Sequence, residues 1–159
     1  MKGIRKSIVV EAPRGDVFDL VDDPARYREF FAGITKWEPR SKRLRGVGAR
    51  YRVLMQVGSI EAGGTVRVTA RRVNRSIEWT WEQGIHQSGR WSLREGPGGT
   101  ELTLDVRYDL SGGLLGRLVE HVTGRIVERN LWATLLAARR LLEAEGAQEE
   151  SGRRSRTKT

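Results

Sequence analysis

His121, Arg125 and Glu128 are the residues whose chemistry and spacing first suggest a site: four and three positions apart, they share one face of a long helical pattern. Such a face can orient the polar end of a ligand, and a histidine of ordinary pKa exchanges protons near neutral pH. An isolated His beside an Arg is nevertheless a weak general base, and Glu120 and Glu128 read as solvated helix residues rather than an acid/base pair. Catalytic residues are therefore left unassigned, and whether the chain is an enzyme stays open. His86 is the only other histidine, so no local metal-ligand motif forms and no metal is assigned. Neither a GxSxG elbow nor a GxGxxG loop is present, and no cofactor is implied. Zero cysteines exclude disulfides, thiolate catalysis and cysteine-ligated centres.

The elements that must position these residues are legible from hydrophobic periodicity. Leu102, Leu104, Val106, Tyr108 and Leu110 alternate with Glu101, Thr103, Asp105, Arg107 and Asp109, which marks a strand. Ser111-Gly112-Gly113 then introduces a helix over 114–145 with apolar positions that include Leu115, Leu118, Val122, Ile126, Ala133 and Leu136. Near the start, Lys6–Glu11 reads as a strand. Pro13 opens a helix through Val21, and Pro24, capped by Asp23, opens another that carries Tyr27, Phe30 and Phe31. Asp22 has no such assignment.

Strands follow at Ile34–Glu38 and Arg50–Val57; Gly63-Gly64 is read as the next reversal, and Asn74-Arg75-Ser76 as the one after Val66–Arg71. Ile77, Trp79 and Trp81 make one inward stripe and Gly89, Trp91 and Leu93 another, with a hairpin at Gly96-Pro97-Gly98-Gly99. The expectation is an α+β fold: a curved seven-stranded antiparallel sheet wrapped around a long C-terminal helix, with two short helices after strand one. One domain over 1–146 is expected, with Gly146 stopping the helix and 147–159 forming a disordered basic tail.

Tyr51, Met55, Trp79, Trp81, Trp91 and Tyr108 all fall on apolar strand faces, and Trp37 joins them less clearly because its strand boundary is weak. They either line one hydrophobic chamber suited to an apolar or aromatic ligand or fill a solid core. With His121 and Arg125 at its polar end, this set forms the ligand-binding candidate.

The formal charge of +9 is uneven: residues 1–75 carry 17 basic and 8 acidic side chains, and the remainder carries 12 of each. Lys36, Arg40, Lys42, Arg43, Arg45, Arg50 and Arg52 concentrate the excess. Arg40, Lys42, Arg43 and Arg45 are a candidate contact for an acidic membrane surface or acidic macromolecule, against the plainer reading of a solvated loop. No recognition helix, zinc finger or stacked-aromatic motif accompanies them, so there is no strong nucleic-acid motif. The first residues lack a secretory apolar run, and no run approaches a membrane span, so a cytoplasmic protein, with peripheral membrane attachment as an option, is expected.

Ile8-Val9-Val10-Glu11-Ala12-Pro13, then Val17-Phe18-Asp19-Leu20-Val21-Asp22-Asp23-Pro24, Tyr27, Phe30 and Phe31, resemble the START-like or birch-allergen-like (SRPBCC) superfamily. Within it they resemble the polyketide cyclase/dehydrase and lipid-transport group, over roughly residues 4–145. The same opening also resembles coenzyme-Q-binding START-domain proteins and their bacterial ribosome-associated toxin relatives. The resemblance implies a helix-grip fold whose long helix covers an elongated cavity. It implies binding or transport of a small hydrophobic ligand: a lipid, isoprenoid or polyketide-like molecule. The alternatives are a cyclase/dehydrase-type enzyme and a nonenzymatic membrane, RNA or protein interaction module. No match to the arginine, tyrosine and tryptophan arrangement of true aromatase-cyclases is found, and Trp79-Thr80-Trp81-Glu82 does not supply one.

Overall fold

Strand alternation dominates the chain because seven segments each have one face to bury, and antiparallel pairing of consecutive segments is the shortest way to bury them together. The computed structural model describes residues 2–83, 86–109 and 113–158. Its strands are β1 (Lys2–Val10), β2 (Ile34–Pro39), β3 (Arg50–Val57), β4 (Ile60–Arg72), β5 (Ser76–Gln83), β6 (His86–Gly96) and β7 (Gly99–Asp109). They form one antiparallel sheet in the order β1-β7-β6-β5-β4-β3-β2. Only the β1–β7 pairing joins strands distant in sequence. Between β1 and β2 lie α1 (Arg14–Val21), a 3-10 turn (Pro24–Arg26) and α2 (Tyr27–Phe30). The final helix is α3 (Gly113–Thr157). The helix-grip α+β fold expected from the sequence is the fold observed. Leu110, Ser111 and Gly112, where the sequence places a strand end and turn, lie outside the described residues.

The core lies between the concave sheet face and the helices. Val10, Leu102, Leu104, Val106 and Trp91 from the sheet meet Val17, Phe18, Leu20 and Val21 of α1, and α3 adds Leu131, Leu135, Ala138 and Leu142. Those four α3 positions recur at intervals of four, three and four, so they fall on one stripe. Thr134 on the same stripe satisfies its hydroxyl against Asn130 O at 2.7 Å and accepts the Ala32 amide at 2.9 Å, which ties the end of α2 to α3.

Two sequence expectations are corrected. Gly63-Gly64 is not a turn: it lies inside β4, and the β3–β4 reversal is the two-residue Gly58-Ser59 loop between paired Val57 and Ile60, with Gly58 at φ +64°. Gly64 instead makes room for a ring. A Cβ there would lie 2.7 Å from the Trp81 ring and 1.9 Å from Gln83 O. Gly89, directly opposite Trp79, does the same: its Cβ would lie 2.0 Å from Trp79 Cζ2. Nor does Gly146 end α3. A helical glycine costs only about 1 kcal/mol, and Glu149 and Glu150 stand four residues before Arg153 and Arg154, a favourable spacing on a helix. Arg154 and Arg156 in the last turn complement the helix dipole, so the basic segment read as a flexible tail is helical to Thr157.

Asp23 caps the turn at Pro24 as its position implies, accepting the Ala25 amide at 3.2 Å. Asp22 proves to be a buried anchor. Its carboxylate accepts two hydrogen bonds from Arg71 of β4, at 2.7 and 2.8 Å, while the guanidinium lies 5.2 Å from the centre of the Phe18 ring. This pair fastens α1 to the far strand, and the hydrogen bonds to Asp22 raise the Arg71 pKa.

Asp22→Asn removes the charge-assisted pairing and should cost about 2 kcal/mol, read as a lower urea midpoint at unchanged slope. A midpoint equal to that of the parent would show the pair to be energetically neutral. Gly89→Ala should destabilise by about 1–3 kcal/mol through overpacking, with a change in tryptophan fluorescence because the added methyl meets the Trp79 ring.

Candidate functional site

Four of the aromatic and apolar positions selected from strand alternation converge. Tyr51 and Met55 on β3 and Trp79 and Trp81 on β5 line one cavity together with Trp37 and Ile34 of β2, Val66 and Val68 of β4, and Tyr27 and Phe31 from the α2 region. Period-two spacing puts Tyr51 and Met55, Val66 and Val68, and Trp79 and Trp81 on the concave face, and Ile34 joins Trp37 there across the register shift in β2. Tyr27, Phe31 and Ile34 lie outside the set that strand alternation selects: Tyr27 and Phe31 are aromatic anchors of the insert after β1, whose sequence signal is that of packing, and Ile34 opens β2. Gln87 of β6 is the one amide side chain in the lining.

The other candidates sit elsewhere. Trp91 is fully buried in the core beneath the cavity, with ring centroids 6.1 Å from Phe31 and 6.2 Å from Trp79. Tyr108 is buried on β7, where its hydroxyl approaches the Gly124 turn of α3. Arg125 is exposed on α3 and outside the cavity lining, and Glu128 is ion-paired with Lys6 of β1. His121 belongs to α3, but its side chain lies outside the described residues.

The cavity is nearly closed. Its internal space is about 30 Å³, room for one or two water molecules. Rings occupy the remainder: Trp37 stacks on Tyr51 with centroids 5.1 Å apart and an interplanar angle of 28°, and Tyr27 lies 5.1 Å from Trp37 on the other side. The Trp37 indole N–H is buried without an acceptor among the described residues.

Both lining tyrosines donate to backbone carbonyls, Tyr27 to Val21 O and Tyr51 to Leu44 O. Burial pushes the Tyr27 phenol far above its ordinary range, and the nearby Asp22 charge adds to the rise; the Trp91 indole N–H opposes it without reaching hydrogen-bond geometry. Tyr51 is also raised, first by burial and then by Asp23, with Arg45 opposing. Neither phenol is poised to lose its proton near neutral pH.

The β2–β3 loop, residues 40–49, accepts the Tyr51 hydroxyl at Leu44 O. Beyond the Tyr51–Leu44 bond it is held by Arg45–Asp23 at 3.2 Å and by Gly48 N to Val68 O at 2.9 Å. The four basic residues selected here divide: Arg45 pairs with Asp23 and Arg40 with Glu38 at 3.7 Å, whereas Lys42 and Arg43 have no ion pair among the described residues. Among the described residues no cluster of three His, Cys, Asp or Glu side chains could hold a metal, and no helix is long and apolar enough to cross a membrane.

A family model described as polyketide cyclase / dehydrase and lipid transport matches residues 1–143. The chain belongs to this family. The polyketide cyclase/dehydrase and lipid-transport fold is also that of solved structures. A Thermus thermophilus protein, TTHA0849, superposes with a TM-score of 0.80 at 16% identity, covering 91% of this chain and 99% of that one. The Zhui aromatase/cyclase of Streptomyces sp. R1128 gives 0.72 at 23% identity, covering 89% and 93%. A START superfamily protein from Mycobacterium smegmatis gives 0.70 at 19% identity, covering 87% and 98%. An uncharacterized protein of Mycobacterium tuberculosis is 27% identical over 113 residues, which is 70% of this chain and 50% of that protein. The chain thus spans half the length of the curated relative it matches.

The raised phenols have a signed consequence. A phenol whose folded pKa exceeds its unfolded value holds its proton more tightly in the fold, so stability is undiminished below about pH 10 and falls as pH rises beyond it. For Tyr27 the slope should approach about 1.4 kcal/mol per pH unit. Urea unfolding at alkaline pH should show this decline, and Tyr27→Phe should flatten it while costing about 1 kcal/mol at neutral pH through the lost Val21 hydrogen bond.

Proposed function

We propose that this protein binds a small hydrophobic molecule, with a lipid, isoprenoid or polyketide-like body and at least one acceptor oxygen, between α2 and the β2–β5 face of the sheet. The observation that carries this reading is the lining itself: aromatic and aliphatic side chains surround the cavity, and the N–H of one of them, Trp37, is buried without an acceptor among the described residues. Leaving a buried donor unmatched costs about 1–3 kcal/mol, so a ligand carbonyl or hydroxyl placed there gains that amount as well as the burial of its apolar body. Membership of a family named for lipid transport and polyketide chemistry supports the same ligand class.

Because the internal space is about 30 Å³ and ligand pockets occupy roughly 300–1,000 Å³, ligand entry requires ring displacement. Trp37 and Phe31 are the half-buried members of the aromatic cluster and move at least packing cost. Cyclase-type catalysis is the second reading, supported by the family. Among the described lining residues its only acid/base groups are the Tyr27 and Tyr51 phenols, both committed to carbonyls, and this favours binding over turnover.

Native mass spectrometry of the purified protein, followed by titration with an aromatic ketone and its deoxygenated analogue, tests the reading. Saturable one-to-one binding is expected. Trp37→Phe should weaken the ketone by about tenfold, the equivalent of one lost hydrogen bond, while changing the analogue little; Arg125→Ala should change neither. Absence of saturable binding to any apolar compound would reject the proposal, and conversion of the ketone to product would move it to catalysis.

A further inference from the structure

Three of the five large hydrophobic side chains exposed among the described residues occur in two adjoining loops: Leu44 (57%) and Val47 (52%) between β2 and β3, and Val73 (61%) between β4 and β5. The first loop is tied by backbone hydrogen bonds to β4, the strand that leads into the second. Gly48 N donates to Val68 O at 2.9 Å and Val68 N to Ala49 O at 3.0 Å, and Gly46 packs beside the Arg71 side chain, two residues before Val73. Gly46 and Gly48, at φ +80° and +92°, supply the reversals of the first loop, on which Leu44 and Val47 are exposed.

The charge within the two loops is of one sign. Residues 40–50 and 71–75 contain eight basic side chains and no acidic one. The adjacent carboxylates of Asp22 and Asp23 are engaged by Arg71 and Arg45. Lys42, Arg43, Arg72 and Arg75 remain without an ion pair among the described residues. Isolated exposed aliphatics need no explanation, but three of them gathered among four unneutralised cations match the two layers of an anionic bilayer surface: phosphate outside and acyl chain beneath. A nucleic-acid backbone would satisfy the cations and offer the aliphatics nothing to bury against.

We propose that the 40–49 loop and the 72–75 turn together dock this protein on anionic lipid membrane, with Leu44, Val47 and Val73 entering the headgroup boundary and Lys42, Arg43, Arg72 and Arg75 contacting lipid phosphates. This surface is independent of the cavity lining, yet the loop is joined to it: Tyr51 lines the cavity and donates to Leu44 O. Docking therefore acts on a segment hydrogen-bonded to one lining residue.

Vesicle sedimentation tests the proposal, using phosphatidylcholine alone and phosphatidylcholine mixed with phosphatidylserine. The full chain should pellet with the mixed vesicles only, and added salt should release it. Each cation is expected to contribute about fivefold, so the combined Lys42→Gln, Arg43→Gln, Arg72→Gln, Arg75→Gln variant should bind at least about a hundredfold more weakly. The Leu44→Ser, Val47→Ser, Val73→Ser variant should lose about tenfold or more on the same vesicles. All seven side chains are solvent-facing or unpaired, and matching thermal melts would show that both variants fold. Failure of the parent to bind mixed vesicles, or binding insensitive to either variant, overturns the proposal. Loss with the charge variant alone would show electrostatic adsorption without insertion of the aliphatic side chains and so overturns the proposal as stated. Ketone titration without vesicles should be unchanged in both variants, so failure here and failure of the cavity reading are separate results.

Discussion

Two indole rings lying across strand backbones that lack a Cβ set the shape of this protein. Trp79 occupies the space above Gly89, and Trp81 the space above Gly64. A side chain at either glycine would push the ring inward, into the already small cavity, or outward, away from the helices. Each ring thus covers its neighbour strand's backbone and remains part of the inner face. The β4–β5 register shifts between Thr65 and Val66 and between Val68 and Ala70 belong to the same region, where irregular pairing adds twist and curvature. Curvature is what lets one sheet face both α1 and α3.

From this arrangement the character of the site follows. A face paved with Trp37, Tyr51, Trp79 and Trp81 has large apolar area and few polar atoms, and the polar atoms are mostly committed: both tyrosine hydroxyls serve loop or helix carbonyls. The phenols hold down the segments bordering the cavity, α1 through Val21 and the β2–β3 loop through Leu44. Chemistry that could have been acid/base is spent on shape. Asp22 shows the same allocation, its carboxylate fastening α1 to β4 through Arg71.

What the sequence revealed was what local spacing determines. Alternation along Glu101–Asp109 reports a strand with one wet and one dry face, and Asp23-Pro24 reports a cap, because both depend on neighbours in the chain. Gly63-Gly64 misled because glycine answers two requirements, a positive φ and the absence of a side chain, and composition does not distinguish them. Gly64 meets the second, imposed by Trp81 on another strand. Asp22 and Arg71 are 49 positions apart, and no periodicity joins them. Four of the chosen aromatic and apolar residues meet at the cavity because they share strand parity, whereas Trp91 and Tyr108 have the same parity on strands deeper in the core. Parity gives the face but not the position along it. On α3 helical spacing places His121, Arg125 and Glu128 in neighbouring positions, but the partner of Glu128 is Lys6, which no helical rule supplies.

The continuation of α3 past its last buried residue divides one helix into two thermodynamic regimes. Leu142 is the final core contact, and the helix runs on to Thr157, a projection of about 22 Å at 1.5 Å per residue. Amides in the packed portion open only when the core opens. Glu143 still accepts the Glu11 amide and Glu145 still pairs with Arg26; amides beyond Glu145 are held by backbone bonds and charge spacing alone, and isolated helical segments of this length are marginal in water. Hydrogen exchange along α3 is therefore graded, slow at Leu135 and Ala138 and fast toward Arg154, so the same element serves as a cornerstone of the core at one point and as a fraying rod at another.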